Sequence, residues 1–157
     1  MATTFTDLNG PQMSDSPRAP LSVLVVEDLP DVAESTADLL AACGHEVRIA
    51  SCGAEALRAA RSDAPDVVLL DIGLPGMSGW EVARRLRAQS TGEQPVVVAV
   101  TGYGTNRDRV CSADAGIDLH LVKPADPAHL TALLARVHDL LVPGPPKRPA
   151  RAAAGAA

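Results

Sequence analysis

Aromatic side chains are nearly missing from this sequence: Phe5, Trp80 and Tyr103 are the only ones in 157 residues. Without stacking platforms for bases, and with a net charge of -5, nucleic acid is not expected as the main partner. Long apolar runs are missing too. No stretch reaches the roughly 20 apolar residues of a membrane span, and the first 20 residues lack the basic-then-apolar order of a signal peptide. Cysteine is scarce. Cys43, Cys52 and Cys111 form neither a disulfide framework nor a metal-ligand pattern, so they read as small buried thiols in a reducing cytoplasm. His45, His120, His129 and His138 share no ligand spacing and read as surface or partly buried residues. A secreted, membrane-embedded or disulfide-stapled protein is excluded.

What the sequence does have is unevenly placed. Residues 1–20 hold Arg18 against Asp7 and Asp15, and residues 142–157 hold Lys147, Arg148 and Arg151 with no acid. Those ends together carry +2, so residues 21–141 carry -7. Both ends are rich in turn formers or in Pro, Ala and Gly, and neither has an apolar periodicity. They read as disordered tails, since they cannot bury enough surface to offset the entropy of ordering. The initiating Met and the two tails suggest a complete short chain around one domain. The stretch 21–141 is long enough for a core of its own.

Within that stretch, β-branched runs alternate with helical patterns. The runs are Ser22 to Val26, Glu46 to Ala50, Asp66 to Leu70, Val96 to Val100 and Leu119 to Val122. The first, third and fourth are almost continuously apolar, as parallel strands covered on both faces are; the other two are mixed, as edge strands often are. Asp31 to Glu34 and Ser78 to Glu81 have the form of capping boxes, and Asp126-Pro127 suits a helix start. Gly44 and Gly116 stand where left-handed helix terminators would. Leu130, Leu133, Leu134 and Val137 make the buried stripe of the last helix. Strict alternation predicts a doubly wound α/β fold, with a five-stranded parallel sheet in the order 2-1-3-4-5.

In such a sheet, ligands bind beyond the carboxyl ends of the strands. The residues there are Glu27 and Asp28 after the first strand, Asp71 after the third, Thr101 after the fourth, and Lys123-Pro124 after the fifth. Any one of them alone would be a helix cap or a solvated charge. Together they put three carboxylates, a hydroxyl and an ammonium at one edge. Carboxylates ~5 Å apart at an effective dielectric of about 20 repel by roughly 3 kcal/mol per pair. A cation relieves this, and an oxygen-only cluster suits Mg²⁺, which keeps waters and bridges to phosphate oxygens. Lys123 would add a compact point charge, and a carboxylate can itself accept a phosphoryl group.

The segment Asp71 to Gly79 (D-I-G-L-P-G-M-S-G) resembles the phosphoacceptor loop of response-regulator receiver domains. Glu27-Asp28, Ala50 to Leu57, Val100-Thr101-Gly102 and Lys123-Pro124 are similar to that family's other landmarks, in its order and at its spacings. The resemblance covers essentially all of residues 21–141. It implies a flavodoxin-like (βα)5 fold and a phosphorylation-controlled signalling switch of two-component systems, not an enzyme. Asp71 would take a phosphoryl group from a phosphohistidine on a histidine kinase or phosphotransfer protein. Asp28 and Asp71 would ligate Mg²⁺ directly, with the backbone carbonyl of Gly73 as a third ligand and Glu27 acting through water. Thr101 and Lys123 would contact the phosphoryl oxygens, and the Lys123-Pro124 bond would be cis. Output would pass through the surface of the fourth helix, fifth strand and fifth helix to a protein target or a second copy, in the cytoplasm.

Three positions depart from or tune that pattern. His120, three before Lys123, stands where the family has an aromatic residue coupled to the Thr movement. Gly73 and Tyr103, two past Asp71 and two past Thr101, would flank the path of hydrolytic water and set the phosphoryl lifetime. The segments Thr101 to Gly104 and His120 to Pro124 are similar to receivers appended to hybrid sensor kinases, so a receiver excised from such a kinase is one alternative. An Mg²⁺-dependent phosphohydrolase is disfavoured, because Gly73 replaces the general acid it would need. A flavin or nucleotide module is disfavoured because Glu27 to Asp31 offers acids instead of a phosphate loop. No helix-turn-helix pattern follows residue 141, so direct DNA binding is not the expected output.

Overall fold

The computed structural model describes residues 19–102 and 106–141. Both expected tails fall outside the described residues, except Ala19 and Pro20, which are exposed. The elements alternate without exception: β1 (Ser22–Val26), α1 (Pro30–Ala42), β2 (Glu46–Ala50), α2 (Gly53–Ser62), β3 (Val67–Asp71), α3 (Gly79–Gln89), β4 (Val96–Thr101), α4 (Asn106–Ala115), β5 (Leu119–Val122) and α5 (Pro127–Leu141). The strands form one parallel sheet in the order β2-β1-β3-β4-β5, as the alternation predicts.

The apolar runs are continuous because each strand feeds two cores. Leu24, Val26, Val68, Leu70, Val97 and Ala99 face one side, where they pack with Ala56, Val82, Ala83, Leu86 and Ala115 of α2, α3 and α4. Val23, Val25, Val67, Leu69 and Val98 face the other, against Leu40 of α1 and Leu130, Leu134 and Val137 of α5. The period-2 alternation of a strand splits its residues between these two layers. The mixed runs, β2 and β5, do lie at the edges.

Helix boundaries follow local chemistry. The Ser78 hydroxyl accepts from the Glu81 N–H at 3.3 Å, the expected N-cap of α3. Asp126 accepts from the Ala128 N–H at 2.7 Å ahead of Pro127. Gly44 and Gly116 adopt φ of 90° and 81°, which only glycine takes without strain. The capping box expected at Asp31 is corrected: Leu29 is the N-cap, Pro30 opens α1, and Asp31 lies inside the first turn with no capping bond. Proline needs no N–H partner at that position, so the helix starts two residues earlier than an Asp31 cap would place it.

Three further expectations change. β3 begins at Val67 and includes Asp71, whose backbone stays in register opposite Val100. The cysteines are not buried: Cys43 is exposed at the end of α1, and Cys52 and Cys111 are partly exposed. His138 is only 5% exposed, one turn after Leu134 on the core stripe of α5, and neither ring nitrogen has a hydrogen-bond partner. No helix among the described residues is long and apolar enough to cross a membrane.

Candidate functional site at the carboxyl edge of the sheet

The ends of β1, β3, β4 and β5 converge as parallel topology requires. Glu27 follows β1 and is 6% exposed; Asp71 closes β3 at 8%; Thr101 closes β4 at 8%. Carboxylate oxygens of Glu27, Asp28 and Asp71 all lie within 4.8 Å of one another. Lys123 reaches over from the end of β5, its Nζ 3.1 Å from Asp71 Oδ2 and 3.2 Å from Glu27 Oε2. Its backbone N–H donates to the Thr101 carbonyl at 2.7 Å, tying the end of β5 to that of β4. The Lys123-Pro124 peptide is cis.

Backbone donors complete the arrangement. The Gly73 N–H donates to Asp71 Oδ1 at 2.9 Å, and the Leu29 N–H donates to Glu27 Oε1 at 3.2 Å. Burial pushes the Glu27 carboxyl up; the Leu29 N–H and the Lys123 ammonium pull it back, and the Asp71 charge pushes further up. Burial works to lower the Lys123 ammonium, but its hydrogen bonds and charge contacts with Asp71 and Glu27 outweigh this and hold it above the ordinary lysine value. Each group thus answers a neighbour from a different strand.

Asp71, Thr101 and Lys123 wall an open cleft of about 380 Å³, which also takes in Asp28, Leu29, Gly73, Trp80, Gly102 and Asp108. Of the three clustered carboxylates, Asp28 is the partly exposed one. A hard, oxygen-only donor set with no histidine or cysteine beside it fits Mg²⁺, which prefers carboxylates and retained waters.

Of the residues singled out from sequence, Glu27, Asp28, Asp71, Gly73, Thr101 and Lys123 are brought together here. His120 is not. It pairs with Ala99 within the ladder, and since Leu119 and Leu121 pack in the α1/α5 layer, it points to the opposite face, toward α4. Its Nε2 is buried without a partner. Burial lowers the imidazole below its ordinary value, as does Arg109, while Asp108 opposes. Tyr103 lies outside the described residues. Two cleft residues had been missed. Asp108 carried no signal beyond its place in the helix after Thr101. Trp80 reads from sequence as helix packing beneath the acceptor loop, yet it also lines the cleft and donates its indole N–H to Ser112 Oγ at 3.1 Å.

Comparison with known proteins agrees with this arrangement. Residues 23–135 match the family described as the response regulator receiver domain. The response regulator MprA of Mycolicibacterium vanbaalenii is 41% identical over 122 residues, covering 78% of this chain and 51% of that protein. MprA of Mycobacterium bovis is 40% identical over 119 residues, covering 76% and 50%. The chain therefore spans about half the length of these curated relatives. Among solved structures, the chemotaxis protein CheY4 of Vibrio cholerae superposes with a TM-score of 0.72 at 30% identity, over 76% of this chain and 99% of that one. The receiver domain of the sensor histidine kinase PA1611 of Pseudomonas aeruginosa, solved with a magnesium ion coordinated in its active-site cleft, gives 0.69 at 31% identity, covering 76% and 98%. With five parallel strands in the same order and the acidic cluster at their carboxyl ends, the chain belongs to the response regulator receiver domain family.

Proposed function

We propose that Asp71 is the phosphoacceptor of a two-component signalling switch in the cytoplasm. The observation that carries this reading is the position of Lys123 Nζ, within 3.2 Å of both Asp71 and Glu27 at the rim of an acidic cleft. A cation is held there by carboxylates from two other strands, which is an arrangement suited to receiving a dianionic group. In the transfer, a carboxylate oxygen of Asp71 attacks phosphorus while the P–N bond of a phosphohistidine breaks. The electron pair leaves with the imidazole nitrogen, which takes up a proton. The donor is a histidine kinase or a histidine phosphotransfer protein. Attack by a carboxylate oxygen needs no general base, because the nucleophile has no proton to lose.

Asp28 and Asp71 would hold Mg²⁺ directly, with the Gly73 carbonyl as third protein ligand and Glu27 acting through water. When bound there, Mg²⁺ offsets negative charge on the phosphoryl oxygens. The chain's own residues do the rest. Lys123 keeps the acceptor carboxylate oriented and pairs with the phosphoryl group once it arrives. Thr101, at the end of β4, meets the same oxygens through its hydroxyl. Gly73 leaves the water path without a side chain to hold a water, which makes hydrolysis slow. The readout passes to a protein partner, or to a second copy, through the face of α4, β5 and α5, where Val110, Val122 and Leu140 are exposed.

The test uses acetyl phosphate with and without Mg²⁺, followed by intact mass. One added phosphate is expected on the wild type with Mg²⁺, none without it, and none on Asp71→Asn. Equal labelling of the Asn variant sinks the assignment.

A further inference from the structure

Helix α4 is held differently from its neighbour α3. Of its described side chains only Ser112 and Ala115 are buried, whereas α3 buries Gly79, Val82, Ala83 and Leu86. Two small side chains remove little apolar area from water, so the hold on α4 rests more on specific contacts than on packing. One such contact is the bond from Trp80 Nε1–H to Ser112 Oγ. Ser112 is 1% exposed, so this bond is shielded from water, and losing it leaves a buried hydroxyl short of a partner. Just past the end of α4, the Gly116 carbonyl accepts from Arg87 Nε and Nη2 at 2.9 and 2.7 Å, which pins that end to α3. The helix is therefore fixed at its C-terminal end and latched at mid-length.

The latch has a second edge. Trp80 is a wall of the cleft that contains Asp71, Thr101 and Lys123, and Asp108 in the first turn of α4 lines the same cleft. His120, at the position where the resemblance would place the coupling side chain, has its Nε2 buried under α4 with no partner. It contributes no hydrogen bond through that nitrogen, whereas the indole does bridge cleft and helix.

We infer that Trp80 is a positioning residue that couples the acceptor cleft to α4 through its bond to Ser112. The inference rests on Asp71 as the phosphoacceptor and adds the link by which occupancy reaches the helix. A phosphoryl group on Asp71 brings bulk and up to two negative charges into the space that the indole walls. A displacement of the ring by a few tenths of an ångström takes the 3.1 Å bond toward the length at which it no longer holds. With so little else buried, α4 then swings about Gly116.

The experiment is hydrogen exchange of the full chain, read on peptides covering residues 108–115, with and without Mg²⁺ and acetyl phosphate. Wild type, Trp80→Phe, Ser112→Ala and the double variant are compared. In the wild type, phosphorylation should speed α4 exchange. Without phosphate, each single variant should already exchange about fivefold faster in α4, with α5 unchanged. The double variant should be no faster than either single, because both changes remove the same bond. Wild-type exchange in both singles, additive effects in the double, or phosphorylated wild type with unaltered α4 exchange each overturns the coupling. Intact mass of the same samples separates the failures: a wild type that takes no phosphate overturns the reading of Asp71, and this inference falls with it.

Discussion

Strands β3 and β5 both end in residues of the cleft, yet they are packed very differently. All five residues of β3 are buried, and none of the four in β5 is. The helix after β3 and the helix before β5 repeat the contrast: α3 sets Val82 and Leu86 deep in the core, while α4 leaves Val110 62% exposed. The lesson is a division of labour along the sheet. On the proposed function, the acceptor carboxylate of Asp71 stands on a fully buried strand, so its position is set before any donor arrives. Lys123 joins it from the end of the lightly packed β5, where a local rearrangement costs little. The Lys123 contacts to Asp71 and Glu27 are the seam between the two regions.

The largest effect expected at that seam is the loss of a whole response. Lys123→Ala and Thr101→Ala should still gain phosphate, yet lose phosphorylation-dependent partner binding or self-association, because on the proposed function both act chiefly on the phosphorylated state. Labelling by mass and association by light scattering check this together. If both variants respond like wild type, the two regions are not joined here. Next in size is packing. Leu86→Ala, at 1% exposure, should cost about 2–5 kcal/mol in urea unfolding, against less than about 0.5 kcal/mol for Val110→Ala. Similar costs would erase the contrast. Smaller again is Gly79→Ala. A β-carbon there would lie 2.5 Å from the Asp71 carbonyl oxygen and 2.7 Å from Ile72 Cα, both backbone atoms. The start of α3 must retreat, at about 1–3 kcal/mol, and slower phosphate uptake should accompany the lower urea midpoint. Unchanged uptake would mean that the acceptor does not depend on this close approach.

Much of this was legible in the sequence, and the limits have physical causes. The apolar runs marked β1, β3 and β4 because parallel strands covered on both faces have little polar to interrupt them, and the mixed runs marked β2 and β5 as edges. β3 was displaced by one residue because Asp66 and Asp71 bracket it alike. Only the fold shows Asp66 turning its carboxylate to the Ser22 N–H at 2.8 Å while Asp71 stays in the ladder. Six of the site residues were readable because strand ends in a parallel sheet must meet. The Trp80–Ser112 bond was not, since residues 32 apart on two helices meet only through side-chain directions. His138 continued a visible stripe from Leu130 and Leu134, but as a polar residue it reads from sequence as surface or partly buried.

The smallest expected effect concerns pH and again compares the two regions. His45, beside β2, is lowered by burial and by the nearby His138; its Nδ1 accepts from the Leu21 N–H at 3.3 Å. His120, in β5, is lowered by burial and by Arg109, with Asp108 opposing. In both cases the folded chain binds a proton less readily than the unfolded chain. Above the ordinary histidine value of about 6.5, neither state is protonated and the stability is fully present. As pH falls through that value the unfolded chain gains protons that the folded chain refuses, so stability declines until the lowered folded values are passed. Both rings are partly exposed, which keeps the effect modest. Glu27, raised by burial, acts in the opposite sense at lower pH, so the informative quantity is variant against wild type. The urea midpoint of the wild type should drop between pH 7.5 and 5.5, and His120→Phe should flatten part of that drop by removing an orphaned nitrogen from under α4. A variant whose midpoint falls as steeply as wild type would place the pH response at His45, on the other side of the sheet.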